Sequence, residues 1–175
     1  FHYSSPLYLS HYLIRDIDAI AVELAKLDDN HVPILWRPLH EGGGDPQWKN
    51  PWFWWGASGA DAYKELWILM YDRLTNYHKI NNLIWVWNGQ EPSYYPGDEY
   101  VDIVAVDWYP SAASIENPVN LVDAFEDLTS STGKIFVYGE LSAGPGLRTI
   151  GDNYTFTAED YGNMLVRFAE KGVKS

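Results

Sequence analysis

The chain contains no cysteine among its 175 residues. Disulfides, thiolate nucleophiles and cysteine-ligated zinc are therefore excluded. Positive charge is also scarce: 12 Lys and Arg stand against 24 Asp and Glu, a formal net charge of -12. A surface this negative repels phosphate backbones and anionic headgroups, so neither nucleic acid nor membrane is expected as a partner. A neutral polymer such as a polysaccharide meets no such barrier. No apolar run reaches the roughly 20 residues of a membrane-spanning helix. No signal-peptide pattern is visible, but the chain opens at Phe1 without Met and its start reads as cut, so that lack says nothing. Gly42-Gly43-Gly44 leads into Asp45-Pro46 rather than into a helix, which argues against a phosphate cradle. No Gly-x-Ser-x-Gly elbow supports serine hydrolysis.

Apolar residues make up 46% of the chain and aromatics 16%, nine of them Trp. That suffices for one folded domain with a sizeable core. The indoles are expected to divide between that core and a ligand surface, with most in the core.

Apolar spacing predicts helices over 10–27, 60–79, 117–130 and 157–171, and strands over 32–39, 83–87, 101–106 and 135–138. The first helix carries Leu13, Ile14, Ile17, Ile20, Ala21 and Leu24 on one stripe; the second carries Tyr63, Leu66, Trp67, Met70, Tyr71 and Leu74. Residues 98–100 read as one helical turn. Continuous apolar strands alternating with helices define an α/β fold with a parallel sheet covered by helices. Polar, aromatic and acidic residues gather after all four strands: His40 and Glu41, Asn88, Asp107 and Tyr109, Glu140. Such residues mark the chemical face of an α/β sheet. Four strands do not close an eight-stranded barrel, which typically takes about 250 residues. The expectation is that residues 1–175 are part of a TIM (β/α)8 barrel, about strands 4 to 7, incomplete at both ends; a complete small open sheet is the alternative. Such a piece alone has raw sheet edges and is not expected to be a stable monomer.

Two carboxyls at strand ends beside a dense indole run, Trp52-Phe53-Trp54-Trp55, point to glycoside hydrolysis. A retaining glycosidase needs one carboxylic acid to protonate the leaving oxygen and one carboxylate to attack the anomeric carbon, roughly 5–5.5 Å apart. Glu41 and Glu140 lie three strand-to-strand steps apart, which suits facing positions across a barrel mouth. The apolar wall after Glu41 would raise its pKa, and Tyr109 is a candidate donor that would keep Glu140 ionised. Strand alternation turns His40 away from Glu41, although strand-end twist can bring neighbours together. Trp85 and Trp87 point one way, into the core or, for Trp87, into the cleft floor. His2, His11, His31 and His78 share no ligand spacing, and Asp98, Glu99 and Asp102 lack that of a calcium loop, so no metal and no cofactor is expected.

The segments Trp36-Arg37-Pro38-Leu39-His40-Glu41, Trp52-Phe53-Trp54-Trp55-Gly56, Trp85-Val86-Trp87-Asn88, Val106-Asp107-Trp108-Tyr109-Pro110 and Gly139-Glu140 together resemble glycoside hydrolase family 26, from about residue 10 to the end. The resemblance implies a (β/α)8 barrel and a retaining endo-β-1,4-mannanase, with Glu41 as acid/base and Glu140 as nucleophile. It also implies that His40 supports the acid, Tyr109 bonds the nucleophile and Trp52 packs at a sugar site beside the scissile bond. Asp107 and Trp55 are expected to bind substrate or support the pair. A secreted, extracellular enzyme acting on β-mannan, monomeric at full length, follows from the same likeness. Mixed-linkage β-glucan or β-1,3-xylan are alternative substrates, and a non-catalytic carbohydrate-binding module is the alternative of another class. The stretch 42–51 is longer than the short turn the resemblance implies.

Overall fold

The computed structural model describes residues 6–44, 51–109 and 119–141, together with Gly162 and Val166. The expected helix at 157–171 falls outside the described residues except at those last two positions, both helical. The described order is helix α1 (Pro6–Asp28), strand β1 (Ile34–Trp36), helix α2 (Ala60–Tyr71), a π-helical segment (Asp72–Tyr77), strand β2 (Leu83–Trp87), 3-10 turns at Pro92–Tyr94 and Asp98–Tyr100, strand β3 (Ile103–Trp108), helix α3 (Val119–Thr132) and strand β4 (Ile135–Leu141). All neighbouring strands pair in parallel, in the order β1-β2-β3-β4. Each strand is thus the sequential neighbour of the last, as repeated strand-to-helix crossovers require.

The helices form where one face can be buried. In α1, Ile17, Ala21 and Leu24 are buried, whereas Ile20 of the expected stripe is exposed. In α2 the buried residues are Tyr63, Trp67 and Met70, and Leu74 continues that stripe in the π-helical segment. These side chains join Trp85 and Trp87 of β2, Val104 and Val106 of β3 and Phe125 of α3 in one core. Trp67 is fully buried there, and truncating such a residue to Ala costs about 3–5 kcal/mol. Trp87 packs its ring on Tyr95 and Phe125, centroids 5.0 and 5.9 Å away. It therefore belongs to the helix-facing core and not to a cleft floor.

Three strand boundaries differ from the periodicity. β1 is only three residues long, because Pro33 and Pro38 bracket it without donors and Leu39 turns left-handed, with φ 52°. β3 starts two residues later than expected, because Asp102 folds back on the neighbouring strand and its Oδ2 accepts the Trp85 N–H at 2.8 Å. β4 runs on through Gly139 and Glu140 to Leu141, so Glu140 sits inside the strand rather than at its tip. The helix expected over 60–79 widens into π turns after Tyr71.

Because side chains alternate across a strand, the face away from the helices carries the other parity: Leu35, Val86, Ile103, Ala105 and Asp107. Apolar residues line this face until the carboxyl ends of the strands, where the polar residues begin.

Candidate active site

The polar cluster is built around Arg37, which directly follows β1. Its Nη1 donates to both carboxylate oxygens of Asp107, at 3.1 Å each, and its Nη2 donates to Oε1 of Glu140 at 2.5 Å. The Tyr109 hydroxyl donates to the other oxygen of Glu140, Oε2. Asn88 Nδ2 donates to Asp107 Oδ1 at 2.7 Å. Asp107 is only 4% exposed, so its charge is tolerable only because Arg37 and Asn88 answer it.

Glu140 reaches this cluster through an irregularity. Val106 pairs with Tyr138, but Asp107 pairs with Glu140, leaving Gly139 as an extra, unpaired residue. A Cβ on Gly139 would lie 2.7 Å from Asp107 Oδ1, 2.8 Å from Asn88 Nδ2 and 3.1 Å from Arg37 Nη1. Only glycine leaves room there for the ion network.

Glu41 arrives from the other edge of the sheet, after β1. Its N–H donates to the main-chain oxygen of Asn88 at 2.7 Å and to Asn88 Oδ1 at 3.0 Å. Its carboxylate accepts Trp52 Nε1–H at 2.8 Å. Glu41 itself is left-handed, with φ 53°, a conformation that persists only when its surroundings hold it. The indole loop supplies that support. Phe53 and Trp55 stack at 4.4 Å and 10°. The His40 ring lies 4.8 Å from Phe53 and 5.7 Å from Trp55, whose Nε1–H donates to the His40 carbonyl at 2.9 Å. Gly56 presses on the Gly42 carbonyl, where a Cβ would come within 1.8 Å, so the loop closes directly against the Glu41 segment.

The two glutamates differ in proton affinity. Burial pushes Glu41 above the ordinary carboxylate value; the Trp52 N–H pulls it back, and the charges of Asp107 and Glu140 push it up further. Glu140 is held below that value by hydrogen bonds from Tyr109 and Arg37, against a smaller penalty from burial. Tyr109, donating to Glu140, is pushed up to about 12. Burial raises Asp107, and Arg37 and Asn88 oppose the rise. The two shifts run in opposite directions, as an acid and a nucleophile sharing one site would require.

Of the residues singled out in the sequence, Glu41, Glu140, Asp107, Tyr109 and Trp52 meet in this cluster. His40 stands beside the cluster with its ring packed on Phe53 and Trp55; it lies beyond the end of β1, so strand alternation does not govern it. Trp55 braces the His40 main chain, and Trp52 is half exposed beside Glu41. Asn88 is on the chemical face expected from the sequence, without a role assigned to it; Arg37 and Gln90 are not among the expected site residues. A lone Arg closing an apolar run is the one sequence signal for Arg37, since a charge there needs buried partners. Among the described residues no group of His, Asp or Glu has the arrangement of a metal site, and no helix is long and apolar enough to cross a membrane.

Solved structures share this architecture. A Podospora anserina GH26-CBM35 β-(1,4)-mannanase superposes with a TM-score of 0.64 at 43% identity, over 78% of this chain and 29% of that one. The GH26 domain of a Prevotella bryantii endo-β-mannanase/endo-β-glucanase gives 0.62 at 29% identity, over 81% and 48%. The sheet is accordingly part of a (β/α)8 barrel. Residues 4–175 match the sequence profile of Glycosyl hydrolase family 26, and the chain belongs to that family. Among curated relatives, a mannan endo-1,4-β-mannosidase of Thermothelomyces thermophilus is 60% identical over 97 residues, 55% of this chain and 19% of that protein. Mannan endo-1,4-β-mannosidase A and B of Caldalkalibacillus mannanilyticus is 36% identical over 169 residues, 89% of this chain and 29% of that protein. The chain therefore spans less than a third of either relative's length.

Proposed function

We propose that this chain carries the catalytic pair of a secreted endo-β-1,4-mannanase that cleaves β-mannan with retention of configuration. The observation that carries the reading is the pairing of Glu41, raised by burial, with Glu140, lowered by Tyr109 and Arg37, at one end of one sheet. In the first step a Glu140 oxygen attacks the anomeric carbon while Glu41 gives its proton to the departing glycosidic oxygen. The sugar is then held as an ester on Glu140. In the second step Glu41, now a carboxylate, takes a proton from water, whose oxygen displaces Glu140 and regenerates both groups. Arg37 and Tyr109 keep Glu140 anionic and aimed, and the exposed part of the Trp52 indole offers a face for a sugar ring. The names of the relatives favour mannan over glucan or xylan as the backbone.

The test separates binding from chemistry. Glu41→Ala and Glu140→Ala are each expected to lose mannan cleavage by several orders of magnitude while still retaining mannan on a column or gel. A wild-type enzyme that retains mannan yet never cleaves it sinks the reading. An α-anomeric first product by NMR would exclude retention. Products from mannan, mixed-linkage β-glucan and β-1,3-xylan run side by side decide the substrate.

A further inference from the structure

β2 ends at Trp87, yet the pattern of its pairing with β3 continues in another form. Val86 pairs with Ile103 and Trp87 with Val104; carried three residues further, the same register brings Gln90 opposite Asp107. There the backbone of Gln90 is left-handed, with φ 61°, and cannot act as a strand. Its side chain pairs instead: Nε2 donates to the Asp107 carbonyl at 2.9 Å, and Oε1 accepts the Asp107 N–H at 2.8 Å. Gln90 is 4% exposed, so water does not replace these bonds readily. On the opposite edge of β3 the register shifts just before this residue, at the extra Gly139, and Asp107 pairs with Glu140. The main chain of Asp107 is therefore held on its β2 side by an amide side chain, directly beside the irregularity in the pairing of β3 with β4.

We propose that Gln90 is a positioning residue for the hydrolytic site: its amide fixes the Asp107 main chain, the Asp107 carboxylate fixes Arg37, and Arg37 fixes Glu140. The inference rests on the reading of Glu140 as the nucleophile. The hydrogen bonds of the Gln90 amide run to the Asp107 main chain. Its effect travels through two contacts, Asp107 to Arg37 Nη1 and Arg37 Nη2 to Glu140 Oε1. The charged and titratable groups that bear on Glu140 are Arg37, Tyr109, His40, Asp107 and Glu41; Glu91 follows Gln90 in the chain. Loosening Asp107 frees Arg37 from the geometry that aims its Nη2 at Glu140, and Glu140 loses a donor that favours its anion.

The test follows the ionisation of Glu140 directly, by carbon NMR of its carboxyl in the intact enzyme, assigned with Glu140→Gln. Gln90→Met keeps the length and removes both bonds; the Glu140 midpoint is expected to rise by about one pH unit, with kcat on mannan falling and KM little changed. Gln90→Glu adds a control that does not need a fully disrupted site. When protonated, the introduced carboxyl accepts and donates as the amide does, so the Glu140 midpoint and activity stay as in wild type at low pH. Above that group's own ionisation the acceptor-only carboxylate repels the Asp107 carbonyl and activity falls, giving an alkaline loss that Gln90→Met lacks. A lowered melting temperature with an unmoved Glu140 midpoint in Gln90→Met, or a Gln90→Glu profile superimposable on wild type, overturns the proposal. An inactive wild type would overturn the mannanase reading instead, while the NMR midpoints would still decide the role of Gln90.

Discussion

Tyr109 and Arg37 each give Glu140 a hydrogen bond that favours its anion, and that dependence is open to measurement. Tyr109→Phe removes the O–H and leaves the ring. A donor to the ionised form lowers a pKa, so its loss raises that of Glu140. On the roles proposed above, the acid limb of kcat/KM is expected to move to higher pH by about one unit, roughly a ten-fold loss on the acid side, with the alkaline limb unmoved. A pH–rate profile checks this, and an unchanged acid limb contradicts it. Gly139→Ala acts by volume instead. The new methyl would sit 2.7 Å from Asp107 Oδ1, and the network must shift by several tenths of an ångström. A misplacement of about 1 Å at reacting groups costs on the order of 100-fold in rate, and a smaller one correspondingly less. We expect kcat to fall by at least ten-fold, read in a standard turnover assay, with about 1–3 kcal/mol of stability lost to overpacking.

At the scale of elements, the departure of α2 into π turns after Tyr71 has a visible consequence. Arg73 in that segment donates to both oxygens of Asp18 on α1, at 2.6 and 2.8 Å, and lies over the Tyr77 ring at 3.6 Å. His78, just past the segment, meets the same Asp18 at 2.7 Å. The Arg73 hydrogen bond and then that of His78 hold Asp18 far below the ordinary aspartate value. A depressed carboxyl contributes stability that is complete above its unfolded pKa, near 3.9, and that fades as pH falls toward the folded-state value. Asp18→Asn is therefore expected to be less stable than wild type at neutral pH. The difference should shrink below about pH 4. Denaturant unfolding at pH 7 and pH 3 checks the sign, and a gap that widens on acidification contradicts it.

For the whole molecule, the decisive feature is a sheet whose outermost described strands, β1 and β4, each pair with a single neighbour. Leu35 and Ile135, on the face away from the helices, are 66% and 64% exposed. Open parallel edges beside exposed apolar side chains favour association. The net charge of -12 opposes it, but acts weakly across a Debye length of about 8 Å at physiological salt. Residues 1–175 expressed alone are thus expected to self-associate, more strongly as salt screens the charge. Sedimentation at low and high salt checks this; a monodisperse monomer with one cooperative unfolding transition contradicts it.

Much of this arrangement was legible in the chain itself. Apolar runs alternating with amphipathic stretches determined a parallel α/β sheet, because a strand buried on both faces needs uninterrupted Val, Ile, Leu and Trp. The position of His40, Glu41, Asp107, Tyr109 and Glu140 after those runs determined that a polar cluster would gather at one end. Periodicity, however, carries no information about contacts between distant residues. That Arg37 bridges Asp107 and Glu140, that Gly139 is squeezed out of register to admit them, and that Gln90 stands in for a missing strand pair were decided only in three dimensions. Each depends on how strands far apart in sequence align, and alignment is set by packing and by the need to satisfy buried polar groups, not by local preference.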